Sequence, residues 1–124
     1  MNQILQHPLK DKVDFILRRS GDLYAFIDIV EAVRSGRMQS FALNDSWAVV
    51  QIVDYPRRRV LEVVFIVGNM ADTEQMESEV IGWAREQGAT LISTIARNGW
   101  RDTAKERGWR NVATYFIKDL TDGS

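Results

Sequence analysis

A single glutamate, Glu62, interrupts an otherwise apolar run from Val60 to Val67, and its surroundings suit acid–base chemistry. A carboxylate flanked by buried apolar side chains has a raised pKa, because burial disfavours its charged form. A raised pKa suits a general base that works near neutral pH. The alternative is an ion pair between Glu62 and Arg58 or Arg59, which are close in sequence. The sequence leaves both interpretations open.

Other residues with catalytic or metal-binding chemistry are scarce. The chain has no cysteine, which excludes disulfides, thiolate chemistry and a Cys-ligated metal. The one histidine, His7, has no second ligand or nucleophile beside it and is interpreted as a surface residue. Arg57 to Arg59 could form a basic patch, but the net charge is −1 and aromatic residues do not interleave with the arginines. Nucleic acid is therefore not an expected partner.

Length and composition predict one globular domain over residues 1–124. Of these residues, 45% are hydrophobic and 27% are charged, which is ordinary for a soluble protein. The chain is long enough for one core and too short for two. Its apolar runs fall far below the roughly 20 residues that span a bilayer, and its N-terminus does not resemble a signal peptide. We expect no membrane contact and a cytoplasmic location.

The apolar run from Val60 to Val67 organises the predicted fold. Such a run, ended here by Gly68-Asn69, is typical of a central strand that is covered on both faces. A helix predicted from Asp72 to Gly88 follows, and then a second apolar strand, Leu91–Ala96. A strand–helix–strand unit of this kind predicts two parallel strands with a right-handed crossover.

The remaining elements follow from apolar periodicity and turn residues. The prediction is an α/β fold with a central mixed sheet, which combines an antiparallel meander with one parallel βαβ crossover and is flanked by helices. Besides the unit above, the predicted elements are a helix from Leu9, a helix from Leu23 to Val33, strands around Phe41 and over Trp47–Val53, a short helix from Trp100 to Arg107 and a last strand from Arg110 to Leu120.

This order of elements resembles the GNAT acetyltransferase superfamily over residues 9–120. The stretch Ala84–Ile92 is similar to the end of the family's crossover helix as it enters the next strand. Asn98-Gly99-Trp100, followed by Gly108-Trp109, is similar to the closing signature of the family. The form Arg97-Asn98-Gly99-Trp100 is most similar to small GNAT-like proteins of tailed phages and prophages.

The resemblance implies an acetyl-CoA site at the turn after the central strand. In the family, a basic residue and two glycines cradle the pyrophosphate there, at a helix N-terminus. This chain has Gly68-Asn69 but lacks the second glycine and the basic residue, and Asp72 and Glu74 add negative charge. Asp72 with Gln75 is interpreted as a structural cap. We therefore expect no bound cofactor.

The resemblance also implies a base and an acid, of which this chain retains only a candidate base. Glu62 stands where the histone acetyltransferase branch carries its catalytic glutamate, and Glu62-Val63-Val64-Phe65 follows the Glu-x-x-Phe spacing of that branch. The tyrosine that commonly serves as acid, four residues before the closing glycine, is replaced by Ala104. Tyr115 is expected in the last strand, packed against a neighbouring strand.

Two functions are favoured over a third, a nucleic-acid-binding accessory that uses Arg57 to Arg59. The first is a non-catalytic GNAT-like phage or prophage protein with a degenerate acetyl-CoA site, present in the virion or host cytoplasm. It would bind a protein partner, such as another virion protein, through Trp100 or Trp109, because tryptophan is common at interface hot spots; core packing is the alternative for both. The second is an acetyl-CoA-dependent N-acyltransferase with Glu62 as base. Its cofactor-binding residues would be Phe65, Val67, Gly68 and Asn69.

Overall fold

The structure is a computed structural model that describes residues 8–96 and 100–121, apart from the side chain of Arg101. His7 and the Arg97-Asn98-Gly99 part of the closing signature lie outside the described residues. The chain divides into two compact units, residues 1–94 and 95–124, and its assignment to a single domain stays a prediction. The elements are α1 (Lys10–Arg19), α2 (Phe26–Arg34), β1 (Gln39–Leu43), β2 (Ser46–Asp54), β3 (Arg59–Val67), α3 (Met70–Glu86), β4 (Leu91–Ser93) and α4 (Arg101–Glu106).

The first unit contains a four-stranded mixed sheet with the strand order β1-β2-β3-β4. The first three strands form an antiparallel meander, and β3 pairs in parallel with β4 across the α3 crossover. This confirms the predicted fold class and the central place of β3. Boundaries differ most in three elements: β4 ends at Ser93 rather than Ala96, and α3 runs from Met70 to Glu86 rather than from Asp72 to Gly88. The helix α2 begins at Phe26, which leaves Leu23 exposed before it.

Two hydrophobic clusters cover the opposite faces of this sheet, as the alternation of side chains along a strand requires. On the face of α1 and α2, the Trp47 ring packs against Phe26 and Phe65, with centroid distances of 5.9 and 5.1 Å. On the face of α3, Trp83 meets the Phe41 ring edge-on at 6.0 Å. Both faces of β3 are therefore covered by helices.

A β-bulge divides β3. Val49 of β2 pairs with Phe65, whereas the next residue, Val50, pairs with Val63, so Val64 has no partner on β2. The extra residue reverses the alternation of side chains along the strand. As a result, odd-numbered residues before the bulge face α3, and odd-numbered residues after it face α1 and α2.

The second unit contains the predicted short helix, α4. Beyond it, Gly108 has a φ of +90°, and the Trp109 N–H donates to the Ala104 carbonyl at 3.1 Å, which ends the helix. The predicted last strand, Arg110–Leu120, was wrong: residues 110–120 contain neither helix nor strand. A strand requires a neighbour with which to form a ladder, and none pairs with this segment among the described residues. Tyr115, expected to pack between strands, is exposed.

None of the described helices is long and apolar enough to cross a membrane.

Candidate functional site

The turn after β3 is closed by contact with the start of β2. Gly68 has a φ of +130°, and a Cβ built on it would lie 1.9 Å from Ser46 Oγ and 2.6 Å from Ser46 Cα. Only glycine tolerates both this conformation and this close approach. The following backbone N–H, that of Asn69, donates to Ser46 Oγ at 3.2 Å. The glycine at this position therefore allows two chain segments to meet.

Asn69 is the N-cap of α3. Its side-chain oxygen accepts a hydrogen bond from the Asp72 N–H at 2.8 Å, and its carbonyl accepts one from the Thr73 N–H at 3.1 Å. The predicted cap formed by Asp72 with Gln75 was wrong, because the N-cap lies three residues earlier and Asp72 is at the third helical position. A short polar residue in extended conformation suits an N-cap, which identifies Asn69.

The Asp72 carboxylate is buried, with 7% of the residue exposed, and both of its oxygens accept hydrogen bonds. Asn44 Nδ2 donates to Oδ1 at 2.9 Å, and Ser46 Oγ and Asn69 Nδ2 donate to Oδ2 at 3.0 and 2.9 Å. These hydrogen bonds, that of Asn44 above all, lower the pKa of Asp72 although burial acts to raise it. Asp72 is therefore ionised at neutral pH.

This carboxylate has a direct consequence for anion binding at the α3 N-terminus. Backbone N–H groups there attract an anion, and the helix dipole favours negative charge. Here Asp72 supplies that charge from within the chain, and the N–H groups of Asn69, Asp72 and Thr73 already have acceptors. A phosphate group brought to this turn would meet a fixed carboxylate. The arrangement is that of a structural cap.

Phe65 and Val67, predicted to line the cofactor in the acyltransferase hypothesis, have buried side chains in the cluster beneath α1 and α2. Only their backbone could contact a ligand. Since β4 pairs with β3 only over Val60–Glu62, no strand within the described residues pairs with residues 63–67 on that side of β3. Within the part of the chain that the structure describes, a short stretch of β3 next to Glu62 therefore pairs with β2 on one side and with no strand on the other.

Glu62 has neither of the two surroundings predicted for it. It is half-buried rather than enclosed, and its Oε2 accepts a hydrogen bond from Tyr55 Oη at 2.7 Å. Arg59 instead bonds Asp54 and the Gln87 carbonyl, and Arg58 bonds Thr90. The alternative ion pair of Glu62 with one of these arginines is therefore not formed among the described residues.

The Tyr55–Glu62 pair was not predicted from the sequence, although the register of the hairpin contains it. Because Asp54 pairs with Arg59, Tyr55 lies just past the end of β2, at the tip of the hairpin whose second strand contains Glu62. The hydrogen bond to Glu62, together with its negative charge, raises the pKa of the Tyr55 phenol. The phenol therefore stays protonated and donates to the carboxylate.

Glu62 and Tyr55 line a groove of about 590 Å³ between the β2–β3 hairpin and β4. Its walls are mostly apolar, and Arg58 at its edge donates to both the hydroxyl and the carbonyl of Thr90. A ligand in this groove would contact the Glu62 carboxylate, whose donor among the described residues is Tyr55 Oη. The lining residues are Tyr55, Pro56, Arg57, Arg58, Val60, Glu62, Leu91 and Ser93.

Trp100 and Trp109 lie at the two ends of α4 in the second unit, and both are half-buried. Neither is almost fully buried, as the core interpretation requires, and their role in partner binding stays a prediction. Apart from Ile95, the large exposed hydrophobic side chains of this unit lie further along the chain, at Val112, Tyr115, Phe116, Ile117 and Leu120. Sequence reasoning missed their exposure because it assigned them to a paired strand.

No cluster of three or more histidine, aspartate or glutamate side chains that could hold a metal ion occurs within residues 8–96 and 100–121.

Solved structures of acetyltransferases share this fold, although no family model and no curated protein matches the sequence. An acetyltransferase of Trypanosoma brucei has a TM-score of 0.61 at 14% identity, covering 77% of this chain and 78% of its own. A predicted acetyltransferase of Clostridium acetobutylicum, solved with acetyl-CoA, has a TM-score of 0.60 at 13% identity, covering 77% and 72%. Glucosamine-6-phosphate N-acetyltransferase of Arabidopsis thaliana has a TM-score of 0.58 at 12% identity, covering 92% and 95%. The chain has the fold of the GNAT acetyltransferases.

Proposed function

We propose that this chain is a non-catalytic GNAT-fold protein with a degenerate acetyl-CoA site, which acts by binding a protein partner. The observation that carries the proposal is the buried Asp72 carboxylate at the N-terminus of α3, held by three side-chain donors. The GNAT resemblance implies the cofactor's pyrophosphate at this turn. A pyrophosphate there would be repelled by the carboxylate and would find several of its backbone donors already bonded.

We also propose that the protein belongs to a phage or prophage and works in or with the virion. Its support is the sequence Arg97-Asn98-Gly99-Trp100, which resembles small GNAT-like phage proteins. The half-buried Trp100 and Trp109 remain the proposed anchors for the partner, because aromatic side chains at hot spots combine a buried body with an exposed contact area.

An acetyl-CoA-dependent N-acyltransferase is the second candidate. It is favoured by the backbone of residues 63–67, which lacks a strand partner on the β4 side among the described residues. In this reaction the amine nitrogen attacks the acetyl carbonyl carbon, the C–S bond breaks, and the CoA thiolate leaves. Glu62 would take the proton that the amine loses. A solved structure with this fold, that from Clostridium acetobutylicum, contains acetyl-CoA. Ala104 provides no hydroxyl to protonate the thiolate.

Calorimetry with acetyl-CoA and the full chain separates the two candidates. We expect no binding tighter than about millimolar, which corresponds to roughly −4 kcal/mol. Micromolar binding would reject the degenerate site and favour the acyltransferase. In that event, Glu62→Gln should lower turnover while leaving the affinity for acetyl-CoA unchanged, as expected for a base that is not a cofactor ligand.

A further inference from the structure

Two of the consecutive arginines at the tip of the β2–β3 hairpin are bonded to the segment that connects α3 to β4. Arg58 donates to the hydroxyl and to the carbonyl of Thr90. Arg59 donates to the Gln87 carbonyl at 2.8 Å, and Asp54 accepts two further hydrogen bonds from its guanidinium at 2.7 and 3.3 Å. The start of β4 is therefore tied to the hairpin by side chains as well as by its ladder.

The other attachments of β4 to the sheet are few. Its ladder with β3 is limited to the pairing of Leu91–Ser93 with Val60–Glu62. Ile92 is partly buried against the cluster beneath α3, whereas Leu91 is exposed. A hydrogen bond from a charged donor is stronger than a neutral one, although exposure to solvent weakens it. Even modest bonds from the two arginines are therefore a large share of what holds so short a strand.

We propose that Arg58 and Arg59 form a latch that keeps β4 on the sheet, and that β4 detaches as a local unit when the latch opens. Local opening occurs where buried apolar contacts are few and backbone hydrogen bonds are exposed. Detachment removes Leu91 and Ser93 from the wall of the groove beside Glu62. The latch thus controls the shape of this groove, whether or not the protein binds acetyl-CoA.

The same opening changes the edge of β3. Among the described residues, β3 already has no strand partner on this side beyond Glu62. With β4 detached, the unpaired stretch extends over Val60–Val67. Unpaired backbone groups are costly unless water or another strand satisfies them, so the latched form is the more stable one.

Backbone amides report separately on the parts of this contact. The Thr90 N–H donates to the Arg59 carbonyl at 3.0 Å and reports on the attachment of β4. The Ala89 N–H is bonded to α3 and reports on the end of that helix. The Tyr55 N–H is bonded within the hairpin turn and reports on the turn itself. Their exchange rates distinguish release of β4 from loss of the whole fold.

Hydrogen exchange of the full chain, measured by NMR at these amides, tests the latch. In Arg58→Ala and in Arg59→Ala, the Thr90 N–H should exchange about three- to tenfold faster than in the wild type, because exposed hydrogen bonds from a charged donor are lost. The Tyr55 N–H should exchange at the wild-type rate. Arg57→Ala is the matched control, because it removes the same charge from a side chain that has no hydrogen bond or ion pair among the described residues.

Three results would overturn the proposal. If the Thr90 N–H exchanges at the wild-type rate in both variants, the ladder and Ile92 alone hold β4. If Arg57→Ala accelerates its exchange equally, the positive charge of the hairpin tip matters and the bonds to Thr90 and Gln87 do not. If the exchange of all these amides accelerates equally, the substitutions destabilise the whole fold and β4 is not a local unit.

Discussion

Gly68→Ala should destabilise the domain strongly, and two other glycines allow the cause to be separated. At Gly68 an alanine would have to adopt an unfavourable φ of +130°, and its Cβ would lie 2.6 Å from the Ser46 Cα. Gly36 has a φ of +84° but nothing within 4 Å, so its substitution tests backbone strain alone. Gly82 lies inside α3 with nothing within 4 Å, so its substitution tests helix propensity alone.

The expected magnitudes differ in sign and size. Gly82→Ala should stabilise by about 0.5–1 kcal/mol, since alanine is the better helix former. Gly36→Ala should cost about 1–2 kcal/mol for a left-handed alanine. Gly68→Ala should cost the same strain plus about 1–3 kcal/mol for forcing β2 and the turn apart, giving roughly 2–5 kcal/mol. Truncating Ser46 should not restore stability, because a backbone atom is among those in conflict.

Urea denaturation of the three variants measures these differences as changes in the free energy of unfolding. The slope with denaturant must stay constant for the comparison to hold. If Gly68→Ala costs no more than Gly36→Ala, the contact between the turn and Ser46 contributes nothing. The interpretation of Gly68 as a residue required for chain packing would then be refuted, and a role for Gly68 in ligand approach would regain weight.

Three further predictions follow from the site and the core. Hydrogen bonds lower the pKa of Asp72 in the folded state, so its contribution to stability should be present above its unfolded pKa and lost as pH falls through the folded pKa. The difference in free energy of unfolding between wild type and Asp72→Asn should therefore narrow in acid, and a difference that is constant with pH would contradict this. Glu62→Gln should lower the pKa of Tyr55 in an NMR titration, because Glu62 raises it, whereas an unchanged titration would show that the hydrogen bond is absent in solution. Trp47→Ala should lower the free energy of unfolding by about 3–5 kcal/mol, because Trp47 is buried between two aromatic rings. Trp83→Ala should lower it less, because Trp83 is half-buried, and equal losses in thermal unfolding would contradict this difference.

The sequence was sufficient for the sheet because each strand carries its own signal. The continuous apolar run predicted β3, and alternation around turn residues predicted the meander. The bulge at Val64 could not be predicted, because one extra residue in an apolar run does not change the pattern of the run. The prediction of a last strand, Arg110–Leu120, was wrong for a different reason. Its residues have strand propensity, but propensity does not supply a neighbouring strand.

The polar contacts of the candidate site were predictable only in part. The anionic first turn of α3 was visible in the sequence, but the partners of Asp72 were not, because Asn44 and Ser46 lie 28 and 26 residues away along the chain. Those contacts depend on how the β1–β2 turn approaches the end of β3. The same limit applies to Glu62, whose partner Tyr55 is set by the geometry of a hairpin tip.

The Asp72 carboxylate also determines how this fold should respond to acetyl-CoA. A helix N-terminus without its own anion gains stability when a phosphate binds, because the ligand supplies the missing charge and acceptors. Here the chain supplies both, so a pyrophosphate would have to displace bonds from Asn44, Ser46 and Asn69 before making its own. Thermal unfolding should therefore occur at the same temperature with and without acetyl-CoA. An upward shift that grows with ligand concentration would show that the cofactor binds and that the cap yields to it.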